Sequence, residues 1–127
     1  MNELELKQRT KQFALRVMKV VGALPENSVG RAIGNQLIRS GTSVGANYRS
    51  ACRGRSKAEF VAKLGVVVEE ADESVFWLEL IIDGKLLTKQ RIEPLLQEAN
   101  ELTAIMAAAH KTAQSSIRNQ KSKIKNA

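Results

Sequence analysis

The segment that decides the fold lies in the middle of the chain and reads SKAEFVAKLGVVVEEADESVFWLELIIDG from residue 56 to residue 84. Its apolar side chains recur every three or four residues, the period that places them on one face of an α-helix. The members of this face are Phe60, Leu64, Val67, Val68, Ala71, Val75, Leu78 and Ile82. Ser56 and Glu59 fit a capping box, and glycine in Asp83–Gly84 would supply the positive φ of a C-terminal cap. The pattern predicts a helix over residues 56–83.

The segment before it, residues 28–53, contains four interior glycines, each of which costs a helix about 1 kcal/mol relative to alanine. At the helical angular step, Gly30, Gly34, Gly41 and Gly45 fall on one arc that overlaps an apolar arc. This arrangement favours one uninterrupted helix that packs closely against a neighbour. The alternative is a break near Ser40–Gly41.

The helical period also predicts helices over about residues 3–23 and 89–114. Residues 24–27 form a turn before the second helix. The alternative for the last helix is a regular start at about Glu93, set by Pro94. Short connections between antiparallel neighbours predict an all-α, up-down-up-down four-helix bundle over residues 1–114. Residues 115–127 lack a core stripe and are expected to be a basic, disordered tail.

The charge of the 127-residue chain is unevenly distributed, and its formal total is +7. Residues 31–63 contain seven bases and one acid, whereas residues 69–83 contain six acids and no base. Residues 111–127 add five bases and no acid. Because the first two blocks cancel, most of the excess positive charge lies in the tail.

Composition excludes several classes of protein. No stretch approaches the roughly 20 apolar residues that cross a bilayer, and acids occupy the N-terminus where an export signal would be basic. The lone Cys52 cannot form an internal disulfide, so we expect a cytoplasmic protein. One histidine and one cysteine are too few for most zinc or iron sites, and we expect neither a metal nor another cofactor.

Two patterns are typical of enzymes, and neither is supported by its context. Residues 41–45 read GTSVG, a nucleophile-elbow pattern, but no strand precedes it and His110 is the only histidine. The acids at 69–73 lack the paired Glu-x-x-His motifs of a carboxylate metal site, so a solvated or ion-paired face is favoured. We expect no catalytic residue.

A row of arginines on the second helix is the strongest polar feature. Guanidinium groups suit phosphate contacts, which dominate nucleic-acid affinity and carry no sequence information. The alternative is pairing with the acids of residues 69–83. The candidate nucleic-acid-binding residues are Arg31, Arg39, Arg49, Arg53, Arg55 and Lys57, with Lys121, Lys123 and Lys125 in the tail.

A second apolar set on the third helix lies outside its core face. Such side chains either bury against another surface or remain partly exposed. We therefore predict a homo-oligomer interface, formed by Val66, Phe76, Trp77 and Leu80.

Four short motifs occur in order along the chain: RSGTSVGANY at 39–48, RSKAEF at 55–60, EEADE at 69–73 and WLEL at 77–80. Together they resemble the four-helix-bundle family of 23S rRNA intervening-sequence proteins of bacteria, over about residues 8–110. The resemblance implies a left-handed bundle, a homopentamer and no catalytic residues. It also implies kinship with the accessory protein of diversity-generating retroelements, a pentameric bundle that binds nucleic acid and a reverse transcriptase.

These observations predict a non-enzymatic, oligomeric bundle that contacts the backbone of RNA or DNA through its basic helix face and tail. The alternative function is a scaffold whose arginines form ion pairs within the chain, between subunits or with a protein partner. The basic tail beyond His110 lies outside the resemblance.

Overall fold

The computed structural model describes residues 1–126, with side chains described for residues 1–123. This part of the chain contains four α-helices and no strand. Consecutive helices pack against each other, α1 also contacts α4, and the diagonal pairs make no contacts within the described residues. The predicted all-α four-helix architecture is confirmed. The helices are α1 (Glu3–Ala23), α2 (Ser28–Cys52), α3 (Lys57–Asp83) and α4 (Lys89–Asn126).

Side-chain caps fix the starts of the first three helices. Asn2 accepts a hydrogen bond from the Glu5 amide, and Asn27 accepts one from the Gly30 amide. Ser56 caps α3, with 3.1 Å between its Oγ and the Glu59 amide nitrogen. The Glu59 carboxylate accepts from the backbone N–H of Arg55, at 2.6 Å, so the reciprocal half of the capping box reaches one residue further back than the motif predicts.

The C-terminus of α3 differs from the prediction. Gly84 has a φ of −79°, and the residue with positive φ is Lys85, at 56°. The Lys85 amide donates to the Ile82 carbonyl and the Leu86 amide donates to the Ile81 carbonyl, which is the bonding pattern of a Schellman motif. The expectation that Gly84 supplies the positive φ was wrong, because the motif closes one residue later in the chain.

The C-terminal end of α4 also differs from the prediction, whereas its start does not. The helix begins at Lys89, the start that the helical period predicts, and Pro94 in its second turn does not move that start to Glu93. It continues to Asn126, which contradicts the expected disorder from residue 115. No glycine or proline follows Pro94, and the half-buried Ala113 and Ile117 extend the packed face beyond residue 110. These features explain why the helix does not end where the strong apolar stripe ends.

The four glycines lie within one continuous helix, as predicted, and Gly41 and Gly45 lie where α2 approaches α1 closely. A Cβ at Gly41 would lie 2.7 Å from Val17 Cγ2, and a Cβ at Gly45 would lie 3.3 Å from the carbonyl oxygen of Thr10. The α2–α3 contact is also close, and buried Ser74 Oγ donates to buried Ser40 Oγ at 3.0 Å. Small side chains therefore set the spacing of α2 from both neighbours.

The interior contains side chains from all four helices, including the fully buried Val17, Leu37, Leu78 and Leu102. Helix α1 contacts α4 less extensively than it contacts α2. A bidentate ion pair joins α1 to α4, with Arg9 nitrogens 2.6 and 2.7 Å from the Glu98 carboxylate oxygens. Although the interior is apolar, no described helix combines the length and the apolar character that crossing a membrane requires.

Candidate nucleic-acid interface

Positive charge collects at one end of the bundle. Because neighbouring helices are antiparallel, the start of α1, the end of α2, the start of α3 and the end of α4 lie together. Val61 of α3 and Ile117 of α4 line the same shallow depression, which places the last part of α4 beside the first turns of α3. We call this region the basic end. Its described cations are Lys7, Arg9, Lys11, Arg49, Arg53, Arg55, Lys57, Lys63, Lys111, Arg118, Lys121 and Lys123. Of these, Arg9 is paired with Glu98.

A groove of about 460 Å³ runs between α1 and α2 at the basic end, and it is referred to below as the α1–α2 groove. Lys7 and Lys11 lie on its α1 side, and Arg49 and Arg53 lie on its α2 side. No acidic residue lines it, although Lys7 Nζ lies 3.5 Å from the Glu3 carboxylate on the same helix. Its remaining lining residues are small or uncharged: Gln8, Ala14, Thr42, Gly45 and Ala46.

A second groove, of about 610 Å³, lies between the end of α2 and the start of α3 and is referred to as the α2–α3 groove. Arg49 and Arg53 line it as well, together with Arg55 and Lys63. Glu59 is its one acidic lining residue, and that carboxylate already accepts the Arg55 backbone N–H. The two grooves therefore share their α2 edge, and cations outnumber acids in the lining of both.

The arginines predicted to form one row on α2 lie in different environments. Arg39 points toward α3, where its guanidinium contacts Glu70 at 3.1 Å and also pairs with Glu73. Arg31 is exposed near the start of α2, at the end of the bundle opposite the basic end. Arg49 and Arg53 are exposed and make no ion pair within the described residues.

The remaining predicted cations also lie at the basic end. Arg55 lines the α2–α3 groove, and Lys57 is exposed at the first position of α3. Lys121 and Lys123 are exposed on the extension of α4, whereas the side chain of Lys125 lies outside the described residues.

Sequence reasoning missed the contribution of α1 to this surface. Lys7 and Lys11 are four residues apart and therefore share a helix face, a spacing that is visible in the sequence. Which neighbour that face meets depends on the rotation of α1 in the bundle, which local sequence does not specify. Lys63 was missed as a site residue for the same reason, although it belongs to the basic block of residues 31–63.

The predicted oligomer face lies on the outer side of α3. Val66 is 38% exposed and Phe76 is 51% exposed, whereas Trp77 and Leu80 are half-buried. The rings of Phe76 and Trp77 pack edge to face, with 5.1 Å between their centroids. Trp77 also packs against the core, and its buried Nε1 has no hydrogen-bond partner among the described residues.

The structure does not bring together the groups of the enzyme-like patterns. Ser43 lies within α2, where its hydroxyl donates to the Arg39 carbonyl at 2.6 Å. His110 lies on α4, the helix diagonally opposite α2, and its Nε2 is 3.2 Å from the position of a Cβ at Gly65. Cys52 packs against the core, and burial raises the pKa of its thiol, as does the neighbouring Glu3.

Comparisons with known proteins agree with this architecture. A model of the 23S rRNA-intervening sequence protein family matches residues 2–108. A solved structure from Bacteroides thetaiotaomicron, described as a protein of unknown function from the S23 ribosomal protein family, is 31% identical with a TM-score of 0.80. The match covers 87% of this chain and 99% of that chain. No curated protein matches the sequence.

Proposed function

Because this chain belongs to the family of 23S rRNA-intervening sequence proteins, we propose that it binds the phosphate backbone of nucleic acid through its basic end, without catalysing a reaction. The observation that carries the proposal is the pair of adjoining grooves lined by cations from α1, α2 and α3. Glu59 is the one acidic lining residue, and it lies in the α2–α3 groove. Lysine and arginine side chains in such grooves release counterions from phosphates when they bind. The proposal places the protein in the cytoplasm, where a lone thiol stays reduced.

The cations that carry binding differ in part from the predicted row. Arg49, Arg53 and Arg55 line the grooves with Lys7, Lys11 and Lys63, and Lys57, Lys121 and Lys123 extend the positive surface around them. Arg39 contributes less because two carboxylates already neutralise it. Arg31 is too far along α2 to join the same contact, since eighteen residues of helix separate it from Arg49, about 27 Å.

Fluorescence anisotropy on the full chain, at salt between about 50 and 200 mM, tests this proposal. We expect Arg49→Gln/Arg53→Gln to weaken binding and to lower the slope of log K against log salt by about 2, one for each lost phosphate contact. Arg31→Gln/Lys89→Gln is the matched control, because it removes two exposed charges at the opposite end. Equal losses in the two double variants would show that only net charge matters, and the absence of binding to structured RNA or duplex DNA would refute the proposal.

We further propose that the outer face of α3 joins copies of the chain into a homo-oligomer, a pentamer by resemblance to the family's accessory-protein relatives. The exposed Phe76 would be buried in that assembly together with Leu80. Val66, which also lines the α2–α3 groove, would lie at the border between this interface and the groove. Light scattering should then give five times the chain mass, and Phe76→Ser should reduce it. A monomeric mass at micromolar concentration would refute this assembly.

The environment of Arg39 favours the scaffold alternative. The Arg39 pairs with Glu70 and Glu73 join α2 to α3, as that alternative predicts. Such a scaffold would bind a protein partner, for example a reverse transcriptase, rather than nucleic acid. If Arg39→Glu and Arg49→Glu disturb stability or assembly while nucleic-acid binding is unchanged or absent, the scaffold replaces the leading proposal.

A further inference from the structure

The C-terminal half of α2 forms a ridge between the two grooves of the basic end. Ala46, Arg49 and Arg53 line both grooves and are all exposed. They recur at three- and four-residue spacing, so they occupy one outward face of the helix. The side chains on this ridge are therefore accessible from both sides.

Cations flank this ridge on both sides. Lys7 and Lys11 lie across the α1–α2 groove, while Arg55 and Lys63 line the α2–α3 groove. Packed helices lie about 8 to 10 Å apart, so the axes of α1 and α3 are separated by about 20 Å at most. The grooves of double-helical nucleic acid present two phosphate strands on a similar scale, and the B-form major groove, about 12 Å wide, admits an α-helix.

Neither groove contains the groups with which proteins hold single strands. No aromatic side chain lines the α1–α2 or the α2–α3 groove. Tyr48, the aromatic residue nearest to Arg49 in the chain, is buried in the core. Proteins that bind single strands stack bases on aromatic rings, which contributes about 1 to 3 kcal/mol per base. This surface offers cations on two sides and no stacking platform.

We propose that the basic end takes double-helical nucleic acid in preference to single strands. The ridge of α2 lies along a groove of the duplex, and the two flanking cation pairs contact the phosphates of its two strands. This inference rests on the proposed nucleic-acid function and specifies its ligand. DNA and RNA duplexes share the necessary chemistry, two phosphate strands that border a groove.

The test compares four labelled ligands by anisotropy with the full chain: a DNA duplex, an RNA duplex of the same sequence, and an unstructured single strand of each kind. We expect at least one duplex to bind about tenfold more tightly than either single strand, and the two duplex arms identify the preferred form. We also expect each flank to contribute. Lys7→Gln/Lys11→Gln and Arg55→Gln/Lys63→Gln should each lower the salt slope for the duplex by about 2.

Arg31→Gln/Lys89→Gln again serves as the two-charge control. If a flank variant fails to fold, the single variants Lys11→Gln and Arg55→Gln replace it, because both side chains are exposed. Equal affinity for single strands, or a flank pair without effect on duplex binding, overturns this inference and leaves the proposed function intact. If the wild-type chain binds none of the four ligands, the proposed function itself is refuted.

Discussion

Replacement of Gly41 by alanine tests whether the close approach of α1 and α2 accounts for the glycine stripe. The added Cβ would lie 2.7 and 2.8 Å from the two Cγ atoms of Val17 and 3.1 Å from its Cβ. Val17 is fully buried and β-branched, so its side chain cannot rotate away cheaply. The helices must separate or the core must repack.

The expected magnitude follows from two opposing terms. Overpacking of a core typically costs about 1 to 3 kcal/mol, whereas alanine in place of glycine stabilises a helix by about 1 kcal/mol. Gly41→Ala should therefore lower the free energy of unfolding by up to about 2 kcal/mol. Gly22→Ala is the matched control, because nothing lies within 4 Å of a Cβ there and only the helix preference remains.

Urea unfolding followed by far-UV circular dichroism measures both variants. The difference between them isolates the packing cost, and we expect about 1 to 3 kcal/mol in favour of Gly22→Ala. If Gly41→Ala is as stable as Gly22→Ala, the glycine at position 41 is not required by helix packing. The explanation of the glycine stripe given above would then fail.

Two further predictions concern Lys85 at the end of α3 and Cys52 at the end of α2. Lys85→Gly should raise the free energy of unfolding by about 0.5 to 1 kcal/mol, because glycine adopts the positive φ of Lys85 without the cost of a side chain; an unchanged urea midpoint would contradict this. Burial raises the pKa of Cys52 above its ordinary value of 9.0, so its stabilising contribution is complete below about pH 9 and is lost as the pH rises through the higher folded pKa. Stability should therefore fall less between pH 8 and pH 10 in Cys52→Ala than in the wild type, and parallel urea midpoints would show that the thiol is not responsible.

Where a helix boundary depends on local chemistry, the sequence was sufficient. The Ser56 cap and the turn at residues 24–27 gave the starts of α3 and α2 because capping side chains act within three residues. The C-terminal cap of α3 was predicted less well, since the positive φ expected at Gly84 occurs one residue later, at Lys85. The end of α4 was missed because the half-buried Ile117 lies beside Val61 of α3, a distant segment of the chain.

The candidate site was less predictable than the fold. The pattern of α2 placed Arg39, Arg49 and Arg53 on one face, and from that face alone they are equivalent. The structure separates them, because Arg39 reaches two acids of α3 whereas Arg49 and Arg53 border grooves with α1 and α3. Lys7 and Lys11 belong to the site only because the orientation of α1 in the bundle turns them toward the α1–α2 groove.

The sequence by itself determined the number of helices, their order and most of the apolar face of each, because helical period, caps and chain breaks are properties of neighbouring residues. Only the tertiary structure decided which charges meet. Ion pairs and grooves depend on the rotation and spacing of helices, which packing between distant residues sets. For the same reason the net charge of +7 did not reveal a site, whereas the antiparallel arrangement of the bundle brought its cations to one end.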